Sequence, residues 1–225
     1  MNILSNLHDK ELSDFLDKTL NNYYDKVITE NLSINLNKDN IELINANYKE
    51  AVSISVDFLD EAINNKIKLR LSGKKDIFGK LFPIKNSTLL DCTAGYGRDS
   101  YVLRLMGFNV TMIENSPVMS LLLNDALKKL KLLNFTMYHG NSYDYLSHSK
   151  KYYDYIYIDF MFNKLKKNSL SSKNDETLKL ISFQENNKNN LISLAIKKSN
   201  SRVVVKEPKH SLSNILKPEY TIKTK

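Results

Sequence analysis

The 225-residue sequence contains a single cysteine, Cys92, so no disulfide can form within the chain. Its first ten residues include no long apolar run of the kind found in a secretory leader, and no stretch reaches the roughly 20 consecutive apolar residues that a membrane span requires. One cysteine without a leader is typical of a reducing compartment, and we therefore expect a cytoplasmic protein that does not enter a membrane. Internal repeats are missing as well, and the 42% hydrophobic and 26% charged residues exclude a collagen-like or wholly disordered chain.

Acidic residues are fewer than basic ones: the sequence has 25 aspartates and glutamates and 33 lysines and arginines, which gives a formal charge of +8. An excess of cations favours a polyanionic partner, above all RNA or DNA, since cations that contact phosphates release bound counterions. Only four of these cations are arginines, and lysine also accumulates with asparagine and isoleucine when a genome is rich in A and T. Charge alone leaves both explanations open.

The N-terminal third predicts a small unit of mixed secondary structure. Apolar residues at helical spacing indicate a helix within residues 1–30. Alternation of apolar and polar residues indicates strands at 32–36, 41–43 and 52–56, and a further helix is expected over 57–71.

From residue 87 onward, apolar strand-like runs alternate with helical periods. Strands are expected at 88–92, 109–114, 135–139, 155–159 and 202–206, and helices at 98–106, 117–132, 143–148 and 175–198. Nearly unbroken apolar strands that alternate with helices are typical of a parallel sheet with helices on both faces. The sequence therefore predicts an α/β protein in two parts, an N-terminal α/β extension at residues 1–84 and a Rossmann-like domain at residues 85–225.

A glycine-rich turn is expected at residues 91–99, DCTAGYGRD, between a predicted strand and a predicted helix. In that context the backbone can approach a ligand, and the helix offers its free N–H groups to an anionic group. A dinucleotide-binding turn would have a third glycine where Ser100 stands, which disfavours NAD. A tight turn without a ligand is the alternative explanation for Gly95 and Gly97.

Glu114 ends the next predicted strand, 17 positions after Gly97. A carboxylate at that point can accept hydrogen bonds from both ribose hydroxyls of a nucleoside. A glycine turn without the pyrophosphate-binding triplet, followed by such an acid, suits S-adenosylmethionine (SAM). The methionine end of SAM would then lie at the turn and its ribose at Glu114.

Asp159 stands at the carboxyl end of another predicted strand and is followed by Phe160, Met161 and Phe162. Ligands of open α/β sheets bind outside the carboxyl ends of the strands. The Asp159 carboxylate can accept a hydrogen bond from an exocyclic amine, and Phe162 can stack on a base, a contact worth roughly 1–3 kcal/mol. Core packing is the alternative for the three apolar residues. Because methylation of an amine by a sulfonium depends mainly on placement, Asp159 and Phe162 are the candidate catalytic residues.

Two groups of basic residues are candidates for RNA contacts. Lys68 and Arg70 lie in a basic run at the end of a predicted helix, where a solvated helix face is the alternative. Lys164, Lys166 and Lys167 directly follow the candidate catalytic turn, a position that favours contact with an RNA backbone. The four histidines have no metal-ligand spacing with the cysteine or the carboxylates, so no metal site is expected.

Taken together, these segments resemble the bacterial small-subunit ribosomal RNA guanine-N2 methyltransferases, the family called methyltransferase J. The resemblance runs from about residue 32 onward and rests on residues 91–99, on ENSPV at 114–118 and on DFMFNK at 159–164. SVDF at 55–58 and VVVKEP at 203–208 match the family as well. The segment that ends in Gly-Arg-Asp at 97–99 is the most specific part.

The resemblance implies a class I methyltransferase that moves a methyl group from SAM to the exocyclic N2 amine of one guanine in 16S rRNA, so that its partner is this rRNA or the small ribosomal subunit. Arg98 and Asp99 would line the cofactor turn, and Asp159 would lie between the cofactor and the target amine. The complete set of expected cofactor-binding residues is Asp91, Gly95, Gly97, Arg98, Asp99, Glu114, Asn115, Asn141, Ser142 and Asp159. Within it, Glu114 and Asn115 would hold the ribose and adenine side, and Asn141 and Ser142 would flank the adenine.

Three positions depart from the family pattern. Asn115 stands where an arginine is usual, Asn141 and Ser142 where two small hydroxyl residues are usual, and Phe160 where the family has proline. Proline fixes φ and has no N–H to donate, so Phe160 keeps the carbonyl that would meet the target amine but not the restraint. Two other functions therefore stay open, namely methylation of another nucleic-acid base or of a protein amide, and RNA binding without catalysis.

Overall fold

A computed structural model describes residues 31–36, 40–61, 65, 77–130, 135–160, 172–183, 187–207 and 217–222. Its strands are β1 (Leu32–Leu36), β2 (Ile41–Asn45), β3 (Val52–Ile54), β4 (Thr88–Asp91), β5 (Asn109–Glu114), β6 (Thr136–His139), β7 (Tyr153–Asp159) and β8 (Ser199–Lys206). Its helices are α1 (Ile77–Leu81), α2 (Arg98–Leu105), α3 (Pro117–Lys129), α4 (Ser142–His148), α5 (Lys173–Ile181) and α6 (Lys188–Lys198). The helix predicted within 1–30 lies outside these ranges, as does most of the helix predicted over 57–71. A search of the described helices for one that is long and apolar enough to cross a membrane finds none.

Five strands form a parallel sheet in the order β6-β5-β4-β7-β8. The chain enters at the central strand β4, moves outward through β5 and β6, and then crosses over to β7 and β8 on the other side. The direction of winding therefore reverses between β4 and β7, and such a reversal opens a crevice at the carboxyl ends of the strands. The predicted Rossmann-like parallel sheet is confirmed.

The central strands β4 and β7 are covered on both faces. Leu89 and Leu90 are neighbours in β4 and are both fully buried, as are their register partners Tyr155 and Ile156 in β7. Successive residues of a strand point to opposite faces, so this burial requires a packed layer on each side. Leu89 and Tyr155 belong to one hydrophobic cluster, and Leu90 and Ile156 belong to a second cluster on the other face.

Strands β1, β2 and β3 form a separate antiparallel sheet, which confirms the three predicted N-terminal strands. This sheet packs against α3 and α5 and buries Leu43, Ile54 and Phe58 in the same cluster as one face of the parallel sheet. A buried hydrogen bond of 2.8 Å from Asn45 Nδ2 to Thr177 Oγ1 fastens β2 to α5. The division into an extension and a catalytic domain stays a prediction.

The single helix predicted over 175–198 is wrong, because this region holds two helices, α5 and α6. Ser182 and Phe183 lie outside both helices, and Ser182 Oγ donates a hydrogen bond of 2.6 Å to the carbonyl of Leu178. A serine hydroxyl that bonds to the carbonyl four residues back competes with regular helix continuation. Both helices reach the crevice at the carboxyl ends of the strands, where Leu178 of α5 and Leu191 of α6 contribute to its wall.

Candidate active site

A cleft opens at the carboxyl ends of β4, β5 and β7, where the strand order reverses. The cleft is open to solvent at its mouth. Residues from several separate turns meet in it. The predicted site residues among those that line the cleft are Gly95, Glu114, Asn115, Asn141, Ser142 and Asp159.

Two glycines shape the turn between β4 and α2, each for a different reason. Gly95 has φ +52°, and a Cβ placed on it would meet only the carbonyl oxygen of Thr93, at 3.9 Å. Gly97 has φ +67°, and a Cβ there would lie 2.6 Å from Leu123 Cδ1 and 3.1 Å from Phe58 Cζ. Positive φ favours glycine at both positions. Gly95 lines the cleft, whereas Gly97 is needed because α3 and the N-terminal unit pack closely beneath it.

Asp91 braces this turn from inside the protein. Its side chain is almost completely buried, with Oδ1 accepting a hydrogen bond of 2.9 Å from the Thr93 N–H and Oδ2 accepting one of 2.6 Å from the Ser100 hydroxyl. Burial raises the pKa of Asp91 to about 7, although the two hydrogen bonds act to lower it. Both carboxylate oxygens are thus used to hold the glycine turn on the start of α2.

Glu114 lies on the opposite side of the turn, at the end of β5. Its Oε2 accepts a hydrogen bond of 2.8 Å from the Gly95 N–H, and its Oε1 accepts one of 2.8 Å from the Ser116 N–H. Burial raises the pKa of Glu114, and the backbone hydrogen bonds oppose that effect. A carboxylate has about four lone-pair sites, so these two bonds orient the group and leave acceptor capacity toward the cleft.

Asp159, at the end of β7, has a buried carboxylate with one oxygen paired and the other unpaired among the described residues. Lys206 Nζ lies 2.7 Å from Asp159 Oδ2 and 3.4 Å from Asp99 Oδ2, and the Tyr157 hydroxyl donates a hydrogen bond of 2.8 Å to the same Asp99 oxygen. The Asp159 side chain is only 8% exposed, and its Oδ1 has no hydrogen-bond partner within the described residues. Burial raises the pKa of Asp159 to about 6, against the lowering effect of Lys206. Oδ1 is therefore a buried acceptor without a donor among the described residues, on a residue that lines the cleft.

Asn141 and Ser142 line the cleft and also fix its far wall. The Asn141 Oδ1 accepts hydrogen bonds from the N–H groups of Tyr143 and Asp144, at 2.8 and 3.2 Å, and so caps the N-terminus of α4. The Ser142 hydroxyl donates to the carbonyl oxygen of Cys92. The Ser142 bond joins the start of α4 to the residue after β4, close to the turn that holds Gly95.

The other predicted site residues lie elsewhere. Asp91, Gly97 and Asp99 surround the glycine turn but are not among the residues that line the described part of the cleft. Arg98 is exposed, with its guanidinium 4.8 Å from the centre of the Tyr96 ring, and borders a smaller crevice beside residues 55–58. The following predicted residues lie outside the described ranges: Phe162, Lys68, Arg70, Lys164, Lys166 and Lys167.

Sequence reasoning missed the part of the cleft wall that comes from α5, from α6 and from the segment directly after α5. Leu178, Phe183 and Lys188 line the cleft, and Lys188 Nζ lies 4.6 Å from the centre of the buried Phe160 ring. Phe160, by contrast, is evident from the sequence because it directly follows Asp159. No local motif marks the residues of α5 and α6, because their position depends on packing against distant parts of the chain.

The cleft suits a cationic nucleoside. The side chains of Asp91, Asp99, Glu114 and Asp159 lie on it or next to it. Among the described residues, Lys206 contacts Asp99 and Asp159, and Lys188 also lines the cleft. Such a surplus of negative charge attracts a sulfonium or an ammonium group. The open space at Gly95 and the oriented carboxylate of Glu114 also fit the two ends of SAM.

A parallel sheet wound in this order, with a glycine turn after its central strand and an acid at the end of the next, is the architecture of a class I SAM-dependent methyltransferase. The sequence model of the family described as "Putative SAM-dependent methyltransferase" matches residues 25–225. A solved structure of a SAM-dependent methyltransferase from Neisseria gonorrhoeae has the same fold, with a TM-score of 0.54 and 24% identity over 76% of this chain and 69% of that chain.

Two relatives of known name indicate which group of SAM-dependent methyltransferases the chain resembles. Ribosomal RNA small subunit methyltransferase J of Coxiella burnetii is 35% identical over 185 residues, which cover 78% of this chain and 72% of the relative. The protein of the same name from Buchnera aphidicola is 31% identical over 226 residues, which cover 94% of this chain and 89% of the relative. The chain belongs to the family of SAM-dependent methyltransferases that includes ribosomal RNA small subunit methyltransferase J.

Proposed function

We propose that the protein transfers a methyl group from SAM to the exocyclic N2 amine of a guanine in small-subunit ribosomal RNA. The observation that carries the proposal is the buried Oδ1 of Asp159, an acceptor without a donor among the described residues, in the same cleft as Gly95 and Glu114. An exocyclic amine is a donor of the required kind. The name of the relatives, ribosomal RNA small subunit methyltransferase J, supports the RNA substrate.

Different residues of the cleft contact different parts of SAM. The Gly95 backbone leaves room for the methionine end, Glu114 accepts hydrogen bonds from ribose hydroxyls, and Asn141 and Ser142 flank the adenine. When SAM is bound, it supplies an electrophilic methyl group on a sulfonium centre. Asn115 lines the cleft beside Glu114 and has no charge to offer an acidic group.

Asp159 acts on the acceptor side. A guanine amine is a weak nucleophile because its lone pair is delocalised into the ring, and a hydrogen bond from N2–H to a carboxylate returns electron density to the nitrogen. With a pKa near 6, Asp159 is mostly ionised at pH 7 and can also take the proton that leaves the amine after methylation. The main contribution of the cleft is placement of the amine beside the methyl group.

The RNA-facing surface extends beyond these residues. Phe162 remains the predicted stacking partner of the target base, and Lys68, Arg70, Lys164, Lys166 and Lys167 remain predicted phosphate contacts. The formal charge of +8 favours such contacts with an RNA backbone. Since ribosomal subunits are the substrate in this proposal, we also infer that the protein works in the cytoplasm.

Labelled methyl transfer tests the proposal. Small subunits that lack the modification are incubated with methyl-labelled SAM, and the RNA is digested to nucleosides; we expect the label on N2-methylguanosine. Label on another base would contradict the choice of guanine. Binding of RNA without methyl transfer, even at high enzyme concentration, would instead identify a non-catalytic relative.

Asp159→Asn tests the residue that carries the proposal. We expect kcat to fall by about 100-fold or more, because the amide is neutral and cannot take a proton. Calorimetry should show that affinity for the demethylated cofactor stays within about threefold of wild type. Asp154→Asn is the matched control, since Asp154 lies in the same strand but accepts hydrogen bonds of 2.8 Å from the Thr88 N–H and hydroxyl, away from the cleft. It should lower stability and leave kcat unchanged.

A further inference from the structure

We propose that Lys206 is a positioning residue for the methyl transfer, because its ammonium group turns the Asp159 carboxylate so that Oδ1 faces the cleft and keeps that carboxylate ionised. This inference rests on the proposed function of Asp159. The sequence places Lys206 at the end of a predicted strand, where contact with the site and a plain exposed strand end are both open, and it does not pair Lys206 with Asp159. The role emerges from the pairing of two strands whose ends meet at the site.

The geometry of the pair is set by the backbone. Asp159 and Lys206 are the last residues of β7 and β8, and they are register partners in the parallel sheet. The Lys206 ammonium contacts Asp159 Oδ2 at 2.7 Å, while Oδ1 has no partner within the described residues. A carboxylate rotates as a planar unit, so an ammonium that holds one oxygen also fixes the direction of the other. Lys206 therefore determines where the free acceptor points.

The same ammonium balances a crowded set of negative charges. Among the described residues, the titratable groups that interact with Asp159 are Asp91 from β4, Asp99 from α2, Tyr157 from β7 and Lys206 from β8, and Lys188 from α6 lines the same cleft. Tyr157 uses its hydroxyl to donate to Asp99, so it supplies no proton to Asp159. Without Lys206, the buried Asp159 would face Asp99 and the partly protonated Asp91, and it would lose the ammonium that contacts it.

Loss of the cation has a chemical consequence. A buried carboxylate beside like charges is driven toward its protonated form. Burial already raises the pKa of Asp159 to about 6, Asp99 acts in the same direction, and Lys206 is the group that lowers it. A protonated Asp159 has one oxygen converted to a donor and can no longer take a proton from the amine. Lys206 thus keeps Asp159 ionised at neutral pH, so that Asp159 can accept a proton from the amine.

The pH dependence of kcat/KM for methyl transfer tests this role. Wild-type activity should fall on acidification with a midpoint near pH 6. In Lys206→Met the midpoint should rise by about one to two pH units, which lowers activity at pH 7 roughly two- to tenfold and restores it near pH 9. Lys206→Arg keeps the charge and should retain the wild-type midpoint. Asp99→Asn removes a neighbouring negative charge and should move the midpoint in the opposite direction, to lower pH.

Controls separate positioning from folding and from the function itself. Lys151→Met removes an exposed ammonium at the other end of β7 and should leave the profile unchanged. Lys206→Met should still melt in one cooperative transition, at a lower temperature than wild type because the buried Asp159 carboxylate loses its cation, and should bind the demethylated cofactor with wild-type affinity. If that variant does not fold, Asp99→Asn still tests the direction of the shift. An active wild type together with a Lys206→Met variant that loses activity equally at all pH values would overturn the inference and leave the proposed function intact. A wild-type protein without methyl transfer would overturn the proposed function.

Discussion

The hydroxyl oxygen of Thr93 accepts a hydrogen bond of 2.7 Å from the backbone N–H of Asp159. This bond joins the turn after β4 to the end of β7 across 66 positions of sequence, and the Cys92 N–H donates to the Tyr157 carbonyl beside it at 2.9 Å. The glycine turn and Asp159 are thereby held at a fixed distance from each other. In the proposed function, these two bonds, one to a side-chain hydroxyl and one between backbone groups, set the spacing between methyl donor and amine, which favours reproducible placement of the two reactants.

Substitution of the two turn glycines by alanine should separate packing from cofactor binding. Gly97→Ala places a methyl 2.6 Å from Leu123 Cδ1 at positive φ, so we expect a loss of about 2–4 kcal/mol in the free energy of unfolding, measured in urea. Gly95→Ala meets no close contact and should cost only about 1 kcal/mol, but its methyl would occupy space at the cleft and weaken SAM binding at least tenfold. Equal effects of the two variants on stability would contradict this account.

The affinity for SAM should depend on the Glu114 carboxylate. In Glu114→Gln, the amide group cannot accept from both the Gly95 and the Ser116 N–H groups, and it offers fewer acceptors to a ribose. Hydrogen bonds to a charged group contribute about 1.5–3 kcal/mol, so we expect a roughly 10- to 150-fold rise in the dissociation constant by calorimetry. Glu50→Gln, in the exposed segment between β2 and β3, serves as the control. An unchanged dissociation constant for SAM would show that Glu114 does not contribute to SAM binding.

Asp91 should make stability decrease as pH rises. Its pKa is about 7 in the folded protein and near 3.8 when unfolded, so the folded state holds the proton more tightly and loses this advantage as pH rises toward 7. Asp91→Asn has no charge to bury and can still accept from Thr93 N–H and donate to Ser100. Relative to the variant, the wild type should lose on the order of 4 kcal/mol of unfolding free energy between pH 4 and pH 8. Urea titrations that give parallel pH curves would exclude a buried titrating Asp91.

The N-terminal sheet should influence the cofactor site through α5. Thr177→Val preserves shape but leaves the buried Asn45 amide without its acceptor, which should cost about 1–3 kcal/mol in unfolding free energy. Because the next residue, Leu178, lines the cleft, we also expect weaker SAM binding. Ser193→Ala on α6, a half-buried position, is the comparison for a helix that has no such link to β2. Thermal melts and calorimetry of both variants are the measurements.

Much of the fold was predictable because its signals are local. Alternation and apolar runs located all the described strands, and strand–helix alternation predicted the parallel sheet. The rule that ligands bind at the carboxyl ends of strands then selected Gly95, Glu114 and Asp159, which the structure brings to one cleft. These predictions needed only the position of each strand end and the type of residue found at it or in the turn that follows.

The remaining features depend on which distant segments pack together. The chain leaves α5 at Ser182, whose hydroxyl bonds back to the Leu178 carbonyl, and periodicity did not reveal the break between α5 and α6. The partnership of Lys206 with Asp159 depends on the register of β7 and β8, which no spacing in the sequence encodes. For the same reason Lys188 gave no signal, although its ammonium lies against the Phe160 ring.

The backbone N–H of Phe160 donates a hydrogen bond of 3.1 Å to the carbonyl of Lys206, a bond that proline could not make. It adds one rung between β7 and β8 beyond Asp159, at the position where the family resemblance predicts proline. A proline would restrain this bend through its own ring, whereas Phe160 ties the bend to the neighbouring strand. The restraint comes from a contact between strands instead of a constraint within one residue, and the Lys206 carbonyl becomes part of the scaffold that its own ammonium serves.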